Sequence, residues 1–253
     1  MPVSKKIAEE MARGSWIRRM FEEGNRLKGK YGAENIFDLS LGNPDAPPPK
    51  EFLQTLKEAV SNQLEGMHRY MPNSGYPDVR AVIADRINLD SKVKMEYQDI
   101  VMSCGAAGGL NVVLKSTLDA GRELVILAPY FVEYGFYADN NSLKCVVAET
   151  DENFMPDIAE LDLKIGPNTG ALLINSPNNP TGVVYGEKII ADITELLNIK
   201  NKKFGNDILL ILDDAYHGLT YDGAETPCIF NHYDNSIIVS SFSKTLSIPG
   251  ERI

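Results

Sequence analysis

Cysteine is scarce in this 253-residue chain: Cys104, Cys145 and Cys228 are odd in number, far apart and without a C-x-x-C pair. That pattern excludes a disulfide framework and fits reduced thiols in a cytoplasm. Long apolar runs are missing too. The longest, Leu124 to Val132, has nine residues including a proline, whereas a bilayer span needs roughly 20. Lys5 and Lys6 lie near the start, but Glu9 and Glu10 stand where a secretory signal requires apolar residues. Histidine is limited to His68, His217 and His232, which do not form metal-ligand spacing, so no metal is expected. Positive charge is in deficit, with 25 Lys and Arg against 35 Asp and Glu, a net charge of −10 and a pI near 4.9. Neither nucleic acid nor an anionic membrane is therefore an expected partner, and any small phosphate must be gripped locally by a few focused donors.

What is present is ordinary globular composition, 43% hydrophobic and 24% charged, in a length that suits one large α/β domain or a domain with an arm. Residues 5 to 30 read as one amphipathic helix, with Ala12, Trp16, Ile17, Met20, Phe21 and Leu27 recurring among Arg, Lys and Glu. The run Leu41-Gly-Asn-Pro-Asp-Ala-Pro-Pro-Pro49 is too rich in proline and glycine for a helix or central strand. Residues 1–48 are accordingly expected to be an N-terminal arm and linker, and residues 49–253 the main domain.

In that domain, 100–102, 124–127, 143–147, 171–174, 208–212 and 237–239 are short continuous apolar runs, the pattern of strands buried on both faces. Helical stretches such as 109–118 and 187–199 lie between several of them. The alternation predicts an α/β fold, a three-layer helix/sheet/helix arrangement around a mostly parallel sheet. Ligands of such sheets bind at the carboxyl ends of the strands, which directs attention to the residues that follow each run.

After 100–102 comes Ser103-Cys-Gly-Ala-Ala-Gly-Gly-Leu110, which is either a plain tight turn or backbone N–H groups presented to a phosphate. Cys104 there reads as a small apolar residue. Ala128-Pro-Tyr-Phe-Val-Glu-Tyr134 offers aromatics for core packing or for stacking on a planar ring. Asn175-Ser-Pro-Asn-Asn-Pro-Thr-Gly182 is an irregular loop presenting amides, and its Asn179-Pro180 bond is a candidate for cis. Asp213 ends a buried run, where a carboxylate needs a cation or donor or caps the next helix; Tyr216 follows one turn later. Lys244 in Ser240-Ser-Phe-Ser-Lys-Thr is, taken singly, a solvated loop charge or an amine kept for carbonyl chemistry. The cluster from Lys200 to Lys203 reads as a solvated helix end, and His217 as structural.

Taken in order from about Leu41 to the last residue, Gly-Ala-Ala, Pro-x-Phe, Asn-Pro-Thr-Gly, Asp-x-x-Tyr, Ser-x-x-Lys and Gly-x-Arg resemble the class I/II aminotransferases, fold type I enzymes that use pyridoxal 5′-phosphate. The resemblance implies that Lys244 forms a Schiff base with the cofactor aldehyde and then shuttles a proton. It implies that Asp213 keeps the pyridine nitrogen protonated, making the ring an electron sink. By the same resemblance Asn179 and Tyr216 bond the phenolic oxygen, Phe131 stacks on the ring, and Gly105, Ala106, Ala107, Ser241, Ser243 and Arg252 form a phosphate cup. Gly42 resembles a glycine approached by the substrate carboxylate, and Tyr70 a tyrosine that reaches the neighbouring active site of a homodimer. Lys244, Asp213 and Tyr216 are the implied catalytic set, and Gly42, Tyr70 and Asn179 the implied substrate contacts. The implied activity is amino-group transfer between an α-amino acid and a 2-oxo acid.

Family members continue beyond Gly-x-Arg into a C-terminal small domain that carries a substrate-carboxylate arginine, whereas this chain stops at Ile253. The expectation is a chain truncated before that domain, with the cofactor residues but without the clamp, so that efficient transamination by these 253 residues alone is not expected. Ala107 stands where one aspartate-preferring subgroup has lysine, so aspartate specificity gains no support. A β-eliminating carbon-sulfur lyase, a cyclopropane-forming synthase and a non-catalytic fragment remain open. A nicotinamide-dependent dehydrogenase domain lacks its fingerprint glycines and leaves Lys244 without a role.

Overall fold

The computed structural model describes all residues except Met1, Gly14, Ser40, Leu41, Gln63 and Leu64; of Glu10, Ala12, Arg13, Ser15–Arg18 and Phe21 it describes the backbone alone. The chain divides into two units, Met1–Ala46 and Pro47–Ile253. In the first unit α1 (Lys5–Arg13) and α2 (Ser15–Tyr31) are the described helical segments over the span of the expected 5–30 helix. The side chains of Ala12, Trp16, Ile17 and Phe21, on which the expected apolar stripe rests, lie outside the described ones. Lys28 of α2 pairs with Asp38 at 2.7 Å.

The second unit runs α3 (Lys50–Ser61), α4 (Pro77–Ile87), α5 (Gly105–Thr117), β1 (Glu123–Ala128), α6 (Tyr134–Asn140), β2 (Lys144–Glu149), α7 (Ile158–Lys164), β3 (Thr169–Asn175), α8 (Glu187–Phe204), β4 (Leu209–Asp214), β5 (Ser236–Ser240) and α9 (Phe242–Thr245). The strands form one parallel sheet in the order β2-β1-β3-β4-β5. Strand β3 is buried along its whole length, the consequence of helices on both faces. On one face Leu110 and Leu114 of α5 and Tyr134 and Tyr137 of α6 pack against Leu124, Ile126, Leu173 and Ile211. On the other, Leu161 of α7 and Ile190, Ile193 and Leu197 of α8 pack against Val125, Leu172, Leu210 and Leu212. Alternate residues of each strand thus serve opposite layers.

Three expectations are corrected. The run Ile100–Met102 is not a strand: the Met102 N–H donates to the Ser74 carbonyl at 3.0 Å and the Ile100 carbonyl accepts from Arg80 Nε at 2.7 Å, so its backbone is satisfied outside the sheet. The helix expected from residue 109 starts at Gly105, enclosing the small-residue turn in its first turn. Lys200 is no solvated charge; it is 4% exposed, with Nζ 2.9 Å from the Asp162 carboxylate, and ties α8 to α7.

Candidate active site

The sheet register brings the expected residues together. Asn175 at the end of β3 is level with Asp213 on β4, and Asp213 is level with Val239 on β5. Neighbouring strands lie about 4.8 Å apart, so the loops that leave these three positions share one edge of the sheet. Asn179 follows β3, Tyr216 follows β4, and Ser241, Ser243 and Lys244 follow β5. The Asn175 amide donates from Nδ2 to the Asp213 carbonyl at 2.9 Å, and its Oδ1 accepts the Asn179 N–H at 2.7 Å. One side chain thereby links the loop after β3 to the end of β4. The Asn179-Pro180 bond is cis.

Asp213 is 6% exposed at the end of β4. Its Oδ2 accepts the Tyr134 hydroxyl at 2.6 Å, and its Oδ1 accepts the Ala215 N–H at 3.2 Å. Burial raises its pKa from the usual carboxylate value, against the pull of those two donors. A turn, not a helix, follows β4, which removes the helix-cap alternative for Asp213. Asp214 faces the opposite way, and its Oδ2 lies 2.8 Å from His217 Nδ1. That contact supports the structural role expected of His217.

The glycine-rich turn approaches from α5. Gly105 adopts φ +68°, and a Cβ built there would come within 3.1 Å of the Arg252 guanidinium. The guanidinium therefore lies against the backbone that opens α5. Lys244 feels the same group: burial and the Arg252 charge both lower its pKa from the ordinary lysine value. Ala106 and Ala107 are half-buried in that first turn, Ser241 precedes α9, and Ser243 is buried. Phe131 stands edge-on to Tyr134, with ring centroids 5.7 Å apart.

Tyr70 is fully exposed, and Gly42 belongs to the other unit. Cys104 is exposed as well, and so is no core residue. The sequence did not reveal Tyr134 as a partner of Asp213. Its only signal was a third aromatic, after Tyr130 and Phe131, in the segment after β1, and the two residues are 79 positions apart. A cleft of about 420 Å³ lined by Leu118, Arg122, Leu209 and Ser236 lies at the opposite ends of the strands, away from these residues.

A five-stranded parallel sheet between helical layers defines a three-layer α/β protein of fold type I, with Asn175, Asp213 and the segment leading to Lys244 at its carboxyl edge. The family profile of aminotransferase class I and II matches residues 34–253, and the chain belongs to that family. It is 32% identical to an aspartate aminotransferase of Pyrococcus horikoshii over 98% of its own length and 61% of the relative's. It is 28% identical to aromatic-amino-acid aminotransferase 2 of Thermococcus litoralis, covering 96% of this chain and 60% of the other. An amino transferase structure from Eubacterium rectale superposes with a TM-score of 0.93 at 35% identity, covering 100% of this chain and 64% of that one. The chain thus spans about three fifths of the length of the curated relatives it matches.

Proposed function

We propose that the protein transfers an amino group between an α-amino acid and a 2-oxo acid, using pyridoxal 5′-phosphate. The observation that carries this reading is Asp213, a buried carboxylate at a strand end whose neighbours are two hydrogen-bond donors and whose flanking strand leads to Lys244. A buried carboxylate is costly unless it meets a cation, and a protonated ring nitrogen is such a cation. The left-handed Gly105 turn, free of a Cβ and lying against Arg252, suits a phosphate dianion. The residues present therefore fit the cofactor. When bound, pyridoxal 5′-phosphate supplies an aldehyde for amine capture and a ring that withdraws electrons from the substrate.

The chain's own groups have distinct tasks. Lys244, with its pKa held below the ordinary lysine range, has a larger neutral fraction at neutral pH than a solvated lysine, and it takes the Cα proton of the amino acid and returns it. The N–H groups at Gly105, Ala106 and Ala107, the hydroxyls of Ser241 and Ser243, and Arg252 hold phosphate. Asn179 and Tyr216 orient the phenolic oxygen, and Phe131 covers one ring face. Tyr70, exposed in one chain, reaches the active site of a second copy, so the working unit is a homodimer; Gly42 and Asn179 contact substrate. Residues 1–48 act as the arm of a large domain formed by residues 49–253. The free thiols suit a cytoplasmic setting, and among the described residues no helix is long and apolar enough to cross a membrane.

A half-reaction tests the proposal. The purified protein, loaded with pyridoxal 5′-phosphate and mixed with an amino acid, should release one equivalent of the matching 2-oxo acid and recover on addition of a different one. Pyruvate and ammonia formed continuously without an acceptor would assign the protein to β-elimination instead.

A further inference from the structure

We propose that Tyr134 is a positioning residue for Asp213: its hydroxyl holds Oδ2, fixes the plane of the carboxylate and leaves Oδ1 as the oxygen that meets the ring nitrogen. The last clause rests on the cofactor reading above; the pairing itself does not. Tyr134 is 2% exposed, and its ring is set by an edge-on Phe131 at 5.7 Å and a tilted Tyr137 at 6.4 Å. Packing therefore decides where the hydroxyl points. The resulting 2.6 Å bond has the length of an O–H donor on a charged oxygen, and it joins the start of α6 to the end of β4. The second bond to Asp213, from the Ala215 N–H, is longer at 3.2 Å. A carboxylate held at one oxygen by a rigid phenol cannot rotate to exchange its two oxygens.

The phenol is also a one-way donor. Burial and the Asp213 charge push its pKa far above the usual tyrosine value, so it stays protonated at any working pH. Titratable groups that sense Asp213 are Tyr134 and Tyr137 from α6, Asp214 on its own strand and Tyr216 in the following turn. Tyr137 supplies an internal control. It sits on the same helix, is 6% exposed, and donates at 2.6 Å to a different acid, Glu133.

The experiment compares Tyr134→Phe with Tyr137→Phe, each also combined with Asp213→Asn. Fluorescence titration with pyridoxal 5′-phosphate should show affinity reduced on the order of tenfold in Tyr134→Phe, the loss expected for a hydrogen bond to a charged group. Tyr137→Phe should stay within about twofold, and Tyr134→Phe should add nothing in the Asp213→Asn background. A second readout uses the protein without cofactor. Because burial raises the folded pKa of Asp213, the folded state binds the proton more tightly than the unfolded one, and stability falls as pH rises above the unfolded value. Losing a donor raises the folded pKa further, so Tyr134→Phe should show the steeper fall in thermal midpoint between about pH 4 and about pH 7. Tyr134→Phe indistinguishable from Tyr137→Phe in both readouts, with wild type binding normally, overturns this proposal alone. Wild-type protein that binds no pyridoxal 5′-phosphate overturns the function reading and, with it, the role assigned to Oδ1.

Discussion

Replacing Gly105 by alanine probes both the backbone and the charge of the phosphate turn. Gly105 sits at φ +68°, where an L residue pays roughly 1–2 kcal/mol. Alanine also restricts the unfolded chain, which returns about 0.4–1 kcal/mol. The net loss is about 1 kcal/mol, or a fall of roughly 2–4 °C in Tm for a protein of this size. The new Cβ meets Arg252 Nη2 at 3.1 Å and Cζ at 3.5 Å, so the guanidinium must retreat by a few tenths of an ångström. Affinity for pyridoxal 5′-phosphate should then drop on the order of tenfold, the scale of one weakened charge-assisted bond. Gly135→Ala is the matched control. It lies in α6 with nothing within 4 Å of a built Cβ, and should gain about 0.5–1 kcal/mol from helix propensity. Differential scanning calorimetry and cofactor titration read the two effects. If Gly105→Ala melts with Gly135→Ala and binds cofactor like wild type, the left-handed turn is not the phosphate site.

Other substitutions check separate links. Asp213→Ala should keep part of the cofactor affinity yet lose roughly a hundredfold or more in turnover, measured by single-turnover release of 2-oxo acid. At His217 the hydrogen bond from its Nδ1 to the Asp214 carboxylate raises the pKa, so the pair stabilises the fold below the unfolded histidine value and that contribution fades as pH rises through the folded one. The ring is 50% exposed, so His217→Gln should remove only a few tenths of a kcal/mol of that advantage, seen as a smaller stability difference between about pH 6 and about pH 8 in urea melts. For Lys200, methionine fills the buried site with apolar volume and leaves Asp162, which is 57% exposed and stays solvated, so the variant should fall within about 1 kcal/mol of wild type by denaturant titration. Lys200→Ala leaves a cavity and should cost about 2 kcal/mol or more.

The sheet was legible because strands buried on both faces read as unbroken apolar runs, and 124–127, 171–174 and 208–212 lie at its centre. The same rule misled at Ile100–Met102, where apolar residues run beside a loop that takes up their backbone hydrogen bonds. Part of the order of the candidate site was legible because Phe131, Asn179, Tyr216 and Lys244 each follow a strand, and the parallel register sets the ends of β3, β4 and β5 side by side, whereas the Gly105 turn follows none. Their partners were not: Tyr134 meets Asp213, and Lys200 meets Asp162 across 38 positions, only through tertiary packing that no local spacing encodes.

Lys244 as the point of cofactor attachment is tested most directly by trapping. The protein is incubated with pyridoxal 5′-phosphate, reduced with borohydride, digested and sequenced by mass spectrometry. The expected result is one reduced adduct, on Lys244, that disappears in Lys244→Ala. An adduct on other lysines, or one that persists in the variant, would contradict the assignment.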